Sequence, residues 1–263
     1  QDPGLFKLKP EEMKRIGVLG DTHIGSKYGL NLPEYLSPDE MKTTHCMDLY
    51  DKFQSVLDWL GKLDVVFFGG DACDGWNPRE HGDDRTAVED KQVEIAVKLL
   101  HMLKGSPQWY FVDGSEYHRG SRKLDTKLAE KMGGVESLDY HTPAPPVFDV
   151  EKEGVNFNFA HPITVSKSTW QYQSTPIARE EVLAILNNNA ADIILRFHAH
   201  YFVYTGFAEH LGVVCPGFQA KTPFQGRISP LGQYRIGAVK FEVHNGEYDW
   251  NRILWKTKPT VHT

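Results

Sequence analysis

Arg15-Ile-Gly-Val-Leu-Gly-Asp-Thr-His23 is the stretch on which the reading of this chain turns. Ile16, Val18 and Leu19 form a short apolar run closed by Gly20, the pattern of a buried strand. The run ends on a carboxylate and an imidazole two residues apart. Side chains two apart on an extended segment point the same way, so Asp21 and His23 can converge on one ion. Three further runs end in the same manner. Val65-Val-Phe-Phe-Gly-Gly70 leads to Asp71, Val155-Asn-Phe-Asn-Phe-Ala160 leads to His161, and Asp192-Ile-Ile-Leu-Arg-Phe197 leads to His198-Ala-His200. In layered α/β proteins, functional side chains gather on the loops outside the carboxyl ends of strands. Carboxylates mixed with imidazoles suit Zn, Mn, Fe, Co or Ni better than calcium or thiolate-bound clusters. Taken singly, an Asp after a strand is more often a turn or cap residue, and a loop His is more often merely solvated. Two X-x-X pairs, each closing an apolar run, rarely arise together by chance.

Working outward, Ser37 reads as an N-cap for a helix opening at Pro38-Asp-Glu40 and running to about Leu60, with Leu49, Phe53, Val56, Leu57 and Leu60 on one face. A second helix is expected from about Arg85 to Met102, a strand at Trp109–Val112, and a short helix from about Leu124 to Met132. Val147–Val150 and Asn156–Ala160 read as a hairpin, and a helix near Ala178–Asn188 precedes the strand at Ile193–Phe197. Tyr201–Gly206, Val213–Cys215, Tyr234–Val243 and Tyr248–Leu254 then read as a run of antiparallel strands. No repeat, low-complexity segment or linker interrupts this order. The expectation is one α/β domain over residues 1–263, built on two packed sheets with helices outside.

The chain as a whole sets wide bounds. At 263 residues it buries roughly 70–75% of its unfolded surface without a disulfide or metal staple. Apolar residues at 40% and charged residues at 24% are ordinary for a globular protein. A net charge of −6 argues against a surface that grips nucleic acid all over, though it leaves room for a local basic groove. Cys46, Cys73 and Cys215 are scattered and odd in number, which is neither a disulfide framework nor a thiolate zinc site. A reducing, cytoplasmic setting is expected. No run approaches the roughly 18 apolar residues of a membrane span, so no membrane partner is expected.

The succession Gly20-Asp-Thr-His23, Gly69-Gly-Asp71, Asp113-Gly-Ser-Glu-Tyr-His118, Ala160-His161 and Phe197-His-Ala-His200 resembles the calcineurin-like metallophosphoesterase superfamily. Its pattern is D-x-H, then G-D, then G-N-H-E/D, then H, then G-H-x-H. The likeness runs from Gly20 to His200. It implies an α-β-β-α four-layer sandwich, two packed mixed sheets flanked by helices. It also implies two divalent ions, with Asp21, His23 and His200 around one, His161 and His198 around the other, and Asp71 bridging them through its two carboxylate oxygens. Manganese is the favoured metal among Mn, Fe, Zn, Co and Ni. Two ions about 3.5–4 Å apart can share a bridging hydroxide and clamp both oxygens of an in-line displacement.

The third motif departs from the family. Ser115 stands where the family has a ligating Asn, and the histidine is displaced by two residues to His118. Ser115 is a candidate substitute metal ligand, and Glu116 a stronger but more charged one. His118 is read as the catalytic residue that binds the phosphoryl group or protonates the leaving oxygen. The alternative is that it reaches the second ion itself. Arg119, with Arg122 and Lys123, is a candidate contact to substrate phosphate, or equally part of the solvated start of a helix. Lys167, Trp170 and Tyr172, and the segment Phe218-Gln-Ala-Lys-Thr-Pro-Phe-Gln-Gly-Arg227, interleave aromatics with cations, a texture that can stack bases but more often packs an edge of the core. The expected function is a metal-dependent phosphoesterase, leaning to a phosphodiesterase or nuclease acting on nucleic acid or a nucleotide. A phosphomonoesterase is the close alternative, and a scaffold that has lost turnover the more distant one. The oligomeric state is left open.

Overall fold

The computed structural model describes residues 13–43, 45–75, 88–118, 123–164, 172–187, 191–207, 210–223, 225 and 234–257. One sheet is built on three parallel strands, β1 (Lys14–Leu19), β2 (Lys62–Phe68) and β3 (Lys104–Phe111). A second sheet contains β4 (Val147–Lys152), β5 (Val155–Ala160), β6 (Ile193–Arg196), β7 (Val203–Phe207) and β8 (His210–Val214), in the order β4-β5-β6-β8-β7. There β5, β6 and β8 are parallel, with an antiparallel strand on each edge. The chain then returns to the first sheet as β9 (Arg235–His244) and β10 (Glu247–Lys256), giving the order β10-β9-β1-β2-β3.

Alternation along each strand divides the apolar residues between two cores. In β2, Val65 and Phe67 face the other sheet, where Phe67 stacks on Phe159 at 4.8 Å and meets Phe157 edge-on at 5.1 Å. Ile16 and Val18 of β1, Leu195 of β6, Val213 of β8 and Phe241 of β9 complete this inter-sheet layer. Val66 and Phe68 turn outward instead, onto α2 (Cys46–Leu60), α3 (Glu89–Leu100) and α4 (Leu124–Met132). Across the second sheet, Ile177 of α5 (Thr175–Leu186) packs on Ile194 and Val214. The result is the four-layer α-β-β-α sandwich. Each Phe or Leu withdrawn from water here contributes about 1.5–3 kcal/mol, so the three apolar interfaces dominate the folding energy.

Three expectations are corrected. The helix expected over 38–60 is two, α1 (Pro38–Thr43) and α2. The buried face begins only at Cys46, while Met41 in α1 is exposed, so no packing holds the two in one register. Of the helix expected from Arg85 to Met102, positions 85–87 lie outside the described residues, Val88 is extended, and the helix runs Glu89–Leu100. The late strands are not one antiparallel run: β8 lies parallel to β6, and β9 and β10 cross to the first sheet. Alternation reports which side chains are buried, not which strand they pair with.

Close packing sets the ligand-bearing loops against one another. Beyond β1 and β2 the segments at 20–24 and 69–73 run side by side, with Asp21 N–H donating to Gly70 O at 3.0 Å and His23 N–H to Asp71 O at 3.1 Å. Phe197, next to His198, lies where a side chain on Gly69 would be: a Cβ there would stand 2.2 Å from the ring. Only glycine permits that contact, and the contact ties the end of β6 in one sheet to the end of β2 in the other.

Candidate metal centre

All six candidate ligands come together. The donor atoms of Asp21, His23 and His200 form one group within 4.8 Å of one another, and those of Asp71, His161 and His198 form a second. In the first, His200 Nε2 lies 3.2 Å from both Asp21 Oδ1 and His23 Nε2. In the second, His161 Nε2 lies 3.0 Å from Asp71 Oδ2 and 3.2 Å from His198 Nδ1. Asp21, His23, Asp71, His161 and His200 are buried, whereas His198 is exposed.

The backbone reaches this arrangement differently from the extended segment expected. Asp21, His23, Asp71, His198 and His200 all have positive φ, between 44° and 69°. Left-handed backbone is uncommon for residues other than glycine and costs free energy, and such strain concentrates at functional sites. Asp21 and His23 therefore converge through left-handed residues on either side of Thr22 rather than through the pleat of a strand.

Neighbouring groups fix the imidazoles. His23 Nδ1 lies 3.0 Å from Asp74 Oδ1, and His161 Nδ1 lies 2.7 Å from the backbone oxygen of Gly69. Each donates its Nδ1 proton there, which leaves Nε2 facing its pocket. His200 Nδ1 has Gln225 Nε2 beside it at 3.4 Å. Asp71 is oriented by the altered third motif: Oδ1 accepts the Ser115 N–H at 2.8 Å, and the Ser115 hydroxyl lies 3.3 Å from Oδ1 and 3.1 Å from Oδ2. The expected bridge through both oxygens is thus narrowed, because the backbone engages Oδ1 and leaves Oδ2 the freer one. Ser115 is close enough to share a ligand sphere with Oδ2. Glu116 is exposed and Lys123 lies at the start of α4.

His118 stands beside this centre. Its Nδ1 lies 2.9 Å from the backbone oxygen of Asp74 and 3.3 Å from Asp74 Oδ1, and its ring meets that of His23 edge-on at 4.5 Å. One donor atom of His118 also groups with His23 and Asp71 within 4.8 Å. Arg119, Arg122, Lys167, Trp170, Phe224 and Arg227 lie outside the described residues. Phe218 belongs to the core, edge-on to Phe53 at 5.5 Å, so the duller reading of that aromatic holds. Tyr172 is exposed.

Electrostatics suits the site to cations. Burial raises the Asp71 carboxyl, but His161 and His118 more than offset it and hold it well below the usual carboxylate range. Burial likewise opposes charge on His161 and His118. Asp71 outweighs it and lifts His161 to about 9, and with Asp74 it lifts His118 to about 10. Desolvation and the neighbouring His161 push His198 down to about 4, leaving it neutral and fit to ligate. Among the described residues no well-formed hydrogen bond reaches the buried Asp21 Oδ1, although His200 Nε2 lies 3.2 Å from it. A buried carboxylate oxygen with no donor is costly. Aimed between two imidazole nitrogens, it fits a divalent ion, as do the oxygen and nitrogen donors around it.

No family model matches the chain, and neither does any curated protein. Solved structures do. A single mutant of Vps29 from Entamoeba histolytica superposes with a TM-score of 0.45 at 12% identity, over 92% of this chain and 99% of that one. An archaeal phosphodiesterase gives 0.45 at 10% identity, over 91% and 99%. A predicted phosphoesterase from Streptococcus pneumoniae gives 0.40 at 12% identity, over 92% and 89%. The resemblance to the calcineurin-like metallophosphoesterases is carried by the order of the chain's own motifs and the convergence of their donors.

Proposed function

We propose that this protein is a metal-dependent phosphoesterase with a dinuclear centre, and that its substrate is a phosphodiester of nucleic acid or a nucleotide. The observation that carries the reading is the convergence of six donors from four strand ends into two groups, with Asp71 in the second and also grouped with His23 of the first. Asp21, His23 and His200 would hold one divalent ion, His161 and His198 the other, and Asp71 would be shared, with Ser115 a candidate further ligand. Manganese remains the favoured metal. Two such ions, when bound, activate water near neutral pH and neutralise charge on the phosphoryl oxygens.

The remaining work falls to the chain's own residues. Asp74 engages Nδ1 of His118, which leaves Nε2 to hydrogen-bond a phosphoryl oxygen or to give a proton to the leaving oxygen. Arg119 follows His118 in sequence and is assigned to substrate phosphate on that ground. On the His200 side, Arg235 N–H donates to His200 O at 2.7 Å, and Lys221 Nζ lies 5.8 Å from the ring centre of the adjacent Tyr234. A cation paired with an aromatic ring on the segment that joins His200 is the kind of pair that neutralises a phosphodiester and stacks on a base. Three free, buried cysteines fit a reducing cytoplasm. No described helix is long and apolar enough to cross a membrane.

Hydrolysis of bis(p-nitrophenyl) phosphate and p-nitrophenyl phosphate with added manganese tests the reading. Diester cleavage abolished by Asp71→Asn and by His161→Ala is expected. A panel of single-stranded DNA, duplex DNA, RNA, cyclic nucleotides and phosphopeptides then identifies the substrate. Cleavage of monoesters alone would replace the diester assignment, and metal binding without turnover of either would make the chain a scaffold.

A further inference from the structure

Asp125 is fully buried in the first turn of α4. An acid there ordinarily complements the positive end of a helix and is solvated. This one faces inward. Its Oδ1 accepts the N–H of Ala72 at 3.1 Å, and its Oδ2 accepts the N–H of Gly114 at 3.0 Å. Ala72 directly follows Asp71, and Gly114 directly precedes Ser115. A single carboxylate therefore joins the loop that carries the shared ligand to the loop that carries the altered third motif.

The join has no slack. A Cβ placed on Gly114 would stand 2.1 Å from Asp71 Oδ1 and 2.8 Å from Asp125 Oδ2. Those three residues are thus in contact through a position only glycine can fill. Through the same junction the Ser115 N–H reaches Asp71 Oδ1 at 2.8 Å. Asp125 makes no ion pair with a cationic side chain among the described residues, and the like charge of Asp71 acts on it more strongly than the opposite charge of His161. Burying a second carboxylate there costs free energy that two backbone donors only partly return. For fold stability alone a neutral acceptor would serve as well. A carboxylate earns its place by offering two equivalent oxygens to two loops at once.

We propose that Asp125 is a positioning residue for the metal centre, holding Asp71 and Ser115 in register for the ion next to His161. This rests on the dinuclear reading above and adds to it a residue that touches neither ion nor substrate.

The test uses the full chain stripped of metal, as wild type, Asp125→Asn, Asp125→Ser and Gly114→Ala. Mn2+ is titrated by calorimetry, and thermal melts are recorded without metal. Asp125→Asn keeps the shape but turns an amide NH2 toward one of the two backbone donors. The expected result is binding of one ion weakened by roughly 10–100-fold, the range for groups that orient metal ligands, with the metal-free melting midpoint close to that of wild type. Gly114→Ala, whose Cβ would press on Asp71 directly, should weaken the same ion and shows what a displaced Asp71 costs, while Asp125→Ser, which keeps one acceptor for one loop, carries the test if Asp125→Asn fails to fold. Wild-type affinity for both ions in Asp125→Asn, together with a lower metal-free midpoint, would assign Asp125 to folding and overturn the proposal. A wild-type chain that binds no Mn2+ would instead remove the metal centre, and this inference with it.

Discussion

His118 Nδ1 lies 2.9 Å from the backbone oxygen of Asp74 and 3.3 Å from its carboxylate, so one residue holds the ring by two different groups. The same carboxylate oxygen lies 3.0 Å from Nδ1 of His23. Burial raises the Asp74 carboxyl, yet its bonds to His118 and His23 bring it down to about 2, so it stays charged at any working pH. Asp74 therefore orients a candidate ligand and the candidate catalytic imidazole together.

Replacing that charge should disturb the chemistry more than the fold. Asp74→Asn is expected to lower kcat for the diester by about 10–100-fold. The loss should be less than additive with His118→Asn, since both variants then remove one function. Steady-state kinetics of the two single variants and the double variant check this, and full additivity would separate Asp74 from His118.

Ion binding should be linked to stability. A ligand held only by the folded state at about 100 times its Kd adds about 2.7 kcal/mol. For a chain of this size that raises the melting midpoint by roughly 5–10 °C. Thermal melts with EDTA and with excess manganese measure the shift. It should shrink in Asp21→Asn and again in His161→Ala.

Protons and ions should compete. Without metal, Asp71 holds His161 protonated up to about pH 9, so His161 must release a proton before it can ligate. Below that pH the apparent affinity of the adjacent ion should rise roughly tenfold per pH unit as the competing proton leaves. Calorimetry between pH 6 and 8, in buffers of differing ionisation enthalpy, reads both the slope and the proton released. An affinity independent of pH would contradict the ion pair at 3.0 Å.

The ligands were legible because each closes an apolar strand, and strands declare themselves by composition and length. Strand partners were not: Val213 reads as apolar whether its neighbour runs parallel or antiparallel, and nothing near Tyr234 marks the return to the first sheet. The supporting groups were hidden for a different reason. Asp74 and Asp125 look like ordinary loop and helix-start acids, and only the folded chain brings them to His118 and to Ala72 and Gly114. A spacing clue existed for Asp74, three residues after Asp71. The backbone oxygen of Gly69, which fixes His161, has no sequence signature at all.

Left-handed torsions at five of the six donors set the spacing of the cradle through the backbone rather than through pliable side chains. Uptake then waits on the visitor rather than the host, because what remains is for the hydrated cation to shed its water. Manganese exchanges water fast and nickel slowly, so the two should load at very different speeds into an identical cavity. The metal recovered with purified protein would then record the order in which ions were met as much as the strength with which they are held.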